Sequence, residues 1–188
     1  LKQYRPRVSV IVPVYNEEVI IRRTIKALLK SDYPLSEILI IDDGSTDQTA
    51  SIIKKYFSHN SKVKLLQKEN GGKASALNLG FQNALGNIII TIDADTIFKP
   101  TTISDLVKIF SDSRVAAVTG NCKIGNIHNQ LLMWQHIEYV TAQNLDKRAF
   151  EELGCITVVS GSNSAWRKSV VEQLGFYHND TLAEDTEL

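Results

Sequence analysis

Short runs of apolar residues alternate along this sequence with segments in which apolar residues recur every three or four positions. The runs favour buried strands at residues 8–14, 38–41, 63–66, 88–92, 115–119 and 155–159. The intervening segments favour helices, including one near 46–57, a long one over 127–150 and a last one begun by Ser169 and Glu172, which have capping-box spacing. Alternating strands and helices predict an α/β fold with a mostly parallel sheet flanked by helices.

The size of the chain fits one domain. Its 188 residues, 43% of them hydrophobic, can bury a full core, and no internal repeat or linker divides residues 1–188. No apolar stretch reaches the roughly 18 residues of a membrane helix, and no signal-peptide pattern is present. Because the sequence opens on Leu1 and ends at Leu188 in an acidic segment, we expect a fragment of a longer protein, truncated on its C-terminal side.

The overall charge excludes some classes of partner. Twenty-one basic residues balance 21 acidic ones, so bulk charge attracts neither nucleic acid nor an anionic membrane, and an anionic ligand must be bound locally. The two cysteines, Cys122 and Cys155, are too few for a disulfide framework and lack metal-ligand spacing. We expect free thiols and a reducing compartment.

Polar residues follow each of the first four predicted strands. In parallel sheets, ligands bind beyond the carboxyl ends of the strands, where loops and helix N-termini converge. Four such groups at one edge predict a binding site there; they are Tyr15-Asn16-Glu17, Asp42-Asp43, Asn70-Gly71-Gly72-Lys73 and Asp93-Ala94-Asp95.

Asp93 and Asp95 suggest a metal site. In an extended segment, side chains alternate, so both carboxylates can face one hard cation, which in turn can bridge a diphosphate. The alternative is a pair of turn or capping aspartates before the helix that starts near Pro100 and Thr101.

Asp42 and Asp43 follow a buried strand, where carboxylates are costly unless donors or a cation meet them. The N3–H of a uracil is one such donor. The alternative is a tight turn with Gly44 at positive φ, leading into a helix capped by Ser45 or Thr46. Lys73, at a Gly-Gly helix start, is either a solvated lysine or a ligand for phosphate or base oxygens.

Together these motifs resemble the ordered series of family 2 glycosyltransferases with the GT-A fold, a Rossmann-like sheet. The series is Val8 to Glu17, Asp42 to Asp47, Gly72 to Asn78, Asp93-Ala94-Asp95 and Glu184-Asp185, and it covers almost the whole chain. The resemblance implies an inverting transfer of a sugar from a uridine diphosphate donor to an acceptor hydroxyl, with Mg²⁺ or Mn²⁺ as cofactor.

The resemblance also implies roles for individual residues. Tyr15 would pack on the uracil, Asp43 would accept from its N3–H, and Lys73 would help to hold the nucleotide. Asp93 would face the ribose and diphosphate, and Asp95 would ligate the metal. The nucleotide-sugar site would be completed by Pro13, Asn16, Glu17 and Gly161, the last within a segment, 160–163, that would line the sugar or acceptor side. Trp166 is expected in the core rather than as an acceptor platform.

Asp185 is our candidate for the general base. An inverting transfer needs a carboxylate opposite the leaving diphosphate, and Asp93 and Asp95 are assigned to the metal side. Glu184 and Asp185 come late in the chain, where a segment can fold back over the site. We assign Glu184 to orienting the acceptor or a loop. Alternatively, Asp185 caps a following helix, or Glu184 is the base.

Within the family, the chain looks most like the processive membrane synthases of β-linked N-acetylglucosamine polymers. This implies a UDP-N-acetylglucosamine donor, a saccharide acceptor and no nucleic acid. It also implies a full-length protein held at the cytoplasmic face of the cell membrane by segments outside this fragment, which itself would be soluble. The Gln-x-x-Arg-Trp segment and membrane helices of those enzymes are absent from this sequence.

Other classes fit less well. Asp93-Ala94-Asp95-Thr96 resembles the start of a haloacid-dehalogenase phosphatase motif, but Ile97 stands at its fifth position and the motif lies mid-chain. A non-catalytic nucleotide-binding module would not need Asp43, Asp95 and Asp185 together. Dinucleotide-binding and P-loop glycine motifs are missing.

Overall fold

The computed structural model describes residues 4–125, 127–146, 149, 152 and 163–177. The strands are β1 (Val8–Val14), β2 (Glu37–Asp42), β3 (Val63–Gln67), β4 (Ile88–Thr91), β5 (Ala117–Thr119) and β6 (Ser164–Arg167). The helices are α1 (Ile21–Leu29), α2 (Thr49–Phe57), α3 (Gly72–Asn83), α4 (Thr102–Ile109), α5 (Gln130–Thr141) and α6 (Lys168–Leu174), and a π-helical turn, Ala142–Asp146, follows α5.

The six strands form one sheet in the order β3-β2-β1-β4-β6-β5. The first four strands pair in parallel, whereas β6 runs antiparallel to both β4 and β5. The predicted mostly parallel α/β sheet is therefore confirmed. Strand β6 was not predicted, because its Ser164 and Arg167 interrupt the apolar pattern. The Ser164 hydroxyl is nevertheless paired inside the sheet, with the Thr91 hydroxyl at 2.7 Å and Trp166 Nε1 at 2.9 Å.

Helices cover both faces of the sheet. The isoleucine-rich strands β2 and β4 are buried throughout, as expected for parallel strands between two helical layers. Buried residues of α1, α2 and α4 form one core, and those of α3 and α6 form the other. Trp166 lies in the second core at 4% exposure, with its ring 6.4 Å from that of Tyr177, so its predicted core position is confirmed.

Two predicted helix starts were wrong. Helix α6 begins at Lys168, and its N-cap is Arg167, the last residue of β6, without a side-chain capping bond, so Ser169 is not the cap. Helix α2 begins at Thr49 rather than near residue 46, because the preceding residues are held by the β1 loop, as described below. Neither Ser45 nor Thr46 caps it.

Helix α5 lies at the surface. It is capped by Asn129, whose Oδ1 accepts from Leu132 N at 2.8 Å, and none of its residues is buried. Leu131 and Trp134 are 75% and 71% exposed. No helix among the described residues is both long and apolar enough to cross a membrane. The predicted strand at 155–159 and Cys155 lie outside the described residues, and Cys122 is half-buried.

Candidate active site

The candidate site lies where the order of the strands reverses, between β1 and β4. The β1–β4 pairing ends at Ile11 and Thr91, after which Ile92 N donates to Ile11 O at 3.0 Å. In a parallel ladder, the next bond would come from the N–H of residue 13, which Pro13 lacks. The two central strands can therefore separate at their carboxyl ends, whereas β1 and β2 stay paired as far as Asp42.

The loop after β1 is fixed to the loop after β2 by Asn16. Its Oδ1 accepts from Thr46 N at 2.8 Å, and its backbone N donates to Ser45 Oγ at 3.0 Å. Asn16 adopts a φ of 56°, a left-handed conformation that asparagine tolerates better than most residues. Asn16, which we predicted as part of the nucleotide-sugar site, therefore joins these two loops in the structure. Beside it, Tyr15 is 50% exposed and free to meet a flat ligand.

Carboxylates from three loops lie near one another around Glu17. Its backbone N donates to Thr49 Oγ1 at 2.8 Å, which places it at the start of α2. Burial, followed by the nearby carboxylates of Asp95, Asp47 and Asp93, raises the pKa of Glu17 above its ordinary value. Negative charge therefore accumulates at this edge, where it would favour a bound cation.

The Asp42–Asp43 pair is met by internal donors. Asp42 accepts from Ser45 N at 2.9 Å and from Gln67 Nε2 at 3.1 Å. Asp43, only 5% exposed, accepts from Lys68 Nζ at 2.6 Å and from the backbone N of Gly71 and Gly72 at 3.0 and 2.8 Å. The predicted requirement for donors is confirmed, and in this structure the donors come from the protein itself.

Gly44 allows the turn between these loops. Its φ is 79°, as predicted, and a Cβ there would lie 2.8 Å from Asn70 N. Only glycine permits this close approach without moving the backbone. The residues just before α3 therefore pack closely against the acidic turn after β2.

Lys73 and Asp93 join α3 to the end of β4. Lys73 Nζ lies 3.0 Å from Asp93 Oδ1, and the two side chains are 34% and 29% exposed. The interpretation of Lys73 as a merely solvated lysine is therefore wrong. Both groups remain accessible to a ligand.

The Asp93–Asp95 segment is a turn rather than an extended strand. Strand β4 ends at Thr91, and Thr96 N donates to Asp93 O at 3.1 Å. The predicted strand alternation therefore does not apply to these two aspartates. Ala94 between them is buried, and its carbonyl accepts from the Thr24 hydroxyl of α1, while Asp95 is exposed. The turn is anchored through Ala94, which leaves the Asp95 carboxylate available.

Within the described residues, no group of three or more His, Cys, Asp and Glu side chains is placed to hold a metal ion. Mg²⁺ is commonly held by one or two carboxylates together with phosphate oxygens of a substrate. Asp95, with the acidic surroundings of Glu17, provides that kind of incomplete donor set.

Some site residues were missed from the sequence. Lys68 forms an ion pair with Asp43. Asp42 pairs in parallel with Gln67, so the residues that follow them, Asp43 and Lys68, lie side by side. The predicted parallel order of β2 and β3 was the sequence signal for this pair. Asn163, 7% exposed, directly precedes β6 at the same edge and has a φ of 56°. Its buried Oδ1 finds no hydrogen-bond donor in the described structure.

Three predicted site residues, Gly161, Glu184 and Asp185, lie outside the described residues. Asn16 joins two loops, and Pro13 is half-buried in β1. The other predicted residues lie around the β1–β4 opening; they are Tyr15, Glu17, Asp43, Lys73, Asp93 and Asp95.

Comparisons with solved structures identify the fold. The chain is similar to mannosyltransferase PcManGT from Pyrobaculum calidifontis in complex with GDP-Man and Mn²⁺, with a TM-score of 0.74 and 28% identity over 97% of this chain and 50% of that one. It also matches the 1–349 fragment of S. aureus TarS in complex with UDP-GlcNAc, with a TM-score of 0.71 and 22% identity over 96% of this chain and 51% of that one. The expected GT-A fold is confirmed.

Sequence relatives agree. A probable glycosyltransferase of Bacillus subtilis strain 168, YdaM, is 34% identical over 97% of this chain and 46% of its own length. A poly-beta-1,6-N-acetyl-D-glucosamine synthase of Staphylococcus epidermidis is 34% identical over 95% of this chain and 43% of its own length. The chain thus spans less than half of these relatives. The model of glycosyl transferase family 2 matches residues 9–175, and the chain belongs to that family.

Proposed function

We propose that this chain is the donor-binding catalytic domain of a metal-dependent, inverting glycosyltransferase. It transfers a sugar, with N-acetylglucosamine the best candidate, from a UDP-sugar to an acceptor hydroxyl and builds a β-linked polysaccharide. The observation that carries the proposal is the convergence of Asp43, Lys73, Asp93 and Asp95 at the opening of a family 2 sheet.

The nucleotide base belongs beside Tyr15 and Asp43. A half-exposed tyrosine ring offers a stacking surface, and a carboxylate has about four acceptor positions, of which the described residues fill three at Asp43. The fourth suits the N3–H of uracil. Since Asp43 is nearly buried, base binding would require a small opening of the turn around Gly71 and Gly72.

The diphosphate belongs between Lys73 and Asp95. Lys73 stands in the first turn of α3, where backbone N–H groups and the helix dipole favour an anion. An Mg²⁺ or Mn²⁺ ion, held by Asp95 with Asp93 nearby, would supply positive charge for the departing diphosphate. Lys73 would exchange its Asp93 partner for a phosphate oxygen, which keeps its charge neutralised in both states.

The acceptor side is assigned to Asp185, with Glu184 orienting the acceptor. In the transfer, the acceptor oxygen bonds to the anomeric carbon, the bond from that carbon to the diphosphate oxygen breaks, and UDP leaves. The hydroxyl proton would pass to the Asp185 carboxylate. Gly161 and its neighbours would line this side.

The choice of donor rests on the relatives. The synthase that is 34% identical carries N-acetyl-D-glucosamine in its name, and the TarS structure holds UDP-GlcNAc. PcManGT, at 28% identity, instead holds GDP-Man, which makes GDP-mannose the competing donor.

A panel of nucleotide sugars tests the proposal. The full-length protein is incubated with UDP-GlcNAc, UDP-glucose and GDP-mannose, with and without Mn²⁺, and nucleotide release and product are measured. We expect metal-dependent UDP release from UDP-GlcNAc with formation of a β-linked product. Binding of UDP without turnover would support a non-catalytic module instead, and release of inorganic phosphate alone would support a phosphatase.

We also propose that the full-length protein resides at the cytoplasmic face of the membrane, since nucleotide sugars are a cytosolic pool and the processive members that the chain resembles are membrane enzymes. Fractionation of cells that express the full-length protein, with protease protection in sealed vesicles, checks this. Recovery of all the protein in the soluble fraction would contradict it.

A further inference from the structure

Helices α1 and α2 carry a cluster of cations on their outward surface. We call this surface the basic face; it consists of Arg22, Arg23, Lys26, Lys30, Lys54 and Lys55. All six are exposed, while Ile21, Ile25 and Leu28 of α1 point into the core. Neither Ile21–Leu29 nor Thr49–Phe57 contains an acidic residue.

The two helices present these charges as one surface. The Arg22 guanidinium carbon of α1 lies 4.1 Å from the ring centre of Tyr56 in α2, and Lys55 Nζ lies 5.4 Å from the same ring. Lys26 and Lys30 continue from Arg22 at intervals of four residues, along one side of α1. The positive charges are therefore close enough to act together on a large anionic partner.

These cations are not neutralised by carboxylates. Among the described residues, none of the six forms an ion pair, whereas Lys64, Lys68, Lys73, Lys108, Arg114 and Lys168 all do. Lys54 donates to a neutral partner, Gln67. The whole chain has a net charge of zero, and part of the balancing negative charge lies just before α1, in the loop that carries Glu17 and Glu18.

Helix stability does not account for the whole pattern. Cations in the last turn of a helix interact favourably with its dipole, which suits Lys26, Lys54 and Lys55. Arg22 and Arg23 stand in the first turn of α1, where the dipole disfavours cations. The helix dipole therefore does not account for these two arginines, although Arg22 gains a contact with the Tyr56 ring.

We propose that the basic face binds the anionic phospholipid headgroups of a membrane surface. Exposed lysines and arginines on helices are attracted to such surfaces, and arginine matches phosphate oxygens with its planar set of donors. The side-by-side helices form a broad surface rather than a projecting element that could enter a nucleic-acid groove. Val19, an apolar residue 88% exposed just before α1, can add contact with the lipid boundary.

This binding would set the orientation of the protein. Both helices begin at the sheet edge that carries Tyr15 and Glu17. A chain held by its basic face would meet the bilayer in one orientation, along the outward sides of α1 and α2. The inference does not depend on which sugar is transferred, and it concerns the 188-residue chain itself.

Vesicle co-sedimentation of the chain tests the proposal. Phosphatidylcholine vesicles with and without phosphatidylglycerol are compared at low and high salt. We expect binding only to the anionic vesicles, weakened by salt. The variant R23Q/K26Q/K30Q, which leaves Arg22 on Tyr56, should bind at least about tenfold more weakly, given the usual contribution of a basic residue near such a surface.

The control variant is K99Q/K108Q/R114Q, which removes the same charge from exposed sites outside the basic face. It should retain most of the binding, and circular dichroism should show both variants folded. Equal loss in the two variants would overturn the proposal, because total charge rather than this face would then matter. So would equal binding to neutral vesicles, or displacement from lipid by DNA with direct DNA binding at the same salt.

Discussion

Lys73 Nζ lies 3.0 Å from Asp93 Oδ1, although Lys73 belongs to the start of α3 and Asp93 follows β4. The pair therefore joins two of the candidate site's loops. Both side chains are about one-third exposed, so the ion pair itself contributes little to stability. Under the proposed function, the pair would keep the Lys73 cation at a helix N-terminus, where a phosphate could replace Asp93.

Lys73→Met should weaken UDP binding about tenfold or more, the scale of one charge-assisted hydrogen bond. The midpoint of urea unfolding should barely move. Calorimetry with UDP and Mn²⁺ provides the measurement. Lys108→Met, which breaks the exposed pair with Asp105, is the matched control and should leave UDP affinity unchanged. Loss of affinity in both variants would contradict a specific role for Lys73.

Asp95→Asn should remove the effect of metal on nucleotide binding. Asp95 is exposed in the turn after β4, so the change should leave the fold intact. In the unaltered chain, we expect UDP to bind more tightly with Mg²⁺ or Mn²⁺ and this gain to vanish with a chelator. If the variant keeps the full metal response, the ion is held elsewhere.

Glu37→Gln should destabilise the chain by about 1–3 kcal/mol, the cost of leaving buried donors poorly matched. Glu37 is 1% exposed at the start of β2, on the opposite edge from the site. Its carboxylate accepts from Ser9 Oγ at 2.7 Å, Lys64 Nζ at 2.7 Å and Leu85 N at 2.6 Å. It joins β1, β2, β3 and the loop before β4, and urea unfolding measures the loss.

The same glutamate predicts a pH dependence. Burial alone would raise the pKa of Glu37, but the hydrogen bonds from Lys64, Leu85 N and Ser9 outweigh it and lower the pKa below the ordinary 4.5. Its stabilisation should therefore be complete above about pH 4.5 and be lost as pH falls toward the lower folded pKa. The difference in unfolding free energy between the chain and Glu37→Gln should shrink over that range. A constant difference would contradict this assignment.

If Asp185 is the proposed general base, Asp185→Asn in the full-length protein should lower the transfer rate about 10²-fold or more, while UDP affinity changes little. Rates and affinities must be measured separately. Glu184→Gln is the neighbouring control and should raise the KM for the acceptor more than it lowers kcat. Near-normal turnover in Asp185→Asn together with inactivity in Glu184→Gln would transfer the role to Glu184.

Runs of buried isoleucine and valine allowed the parallel strands to be predicted. β1 has the predicted bounds, because seven consecutive residues between two helical layers must be apolar or paired. β6 escaped prediction because its buried polar groups are satisfied only by residues far away in sequence, such as Thr91. Its insertion between β4 and β5 also cannot be read from periodicity.

The candidate site, like the sheet, could be predicted only in part. The positions of Asp43 and Lys73 at one edge could be predicted, since they follow adjacent parallel strands. Their partners could not, because the Asp43 carboxylate turns to the backbone of Gly72 and the Asp93 segment bends into a turn instead of continuing β4. Both outcomes depend on local backbone geometry that apolar spacing does not encode.

The missing N–H of Pro13 has a consequence for how the site of this chain could change. The β1–β4 ladder ends at a residue of β1 itself, so the end of the pairing does not depend on which residues stand in the surrounding loops. Loop residues that select one nucleotide sugar over another can then change while the frame remains constant. The shared fold of chains that hold GDP-Man and UDP-GlcNAc fits this division between a fixed opening and a variable lining.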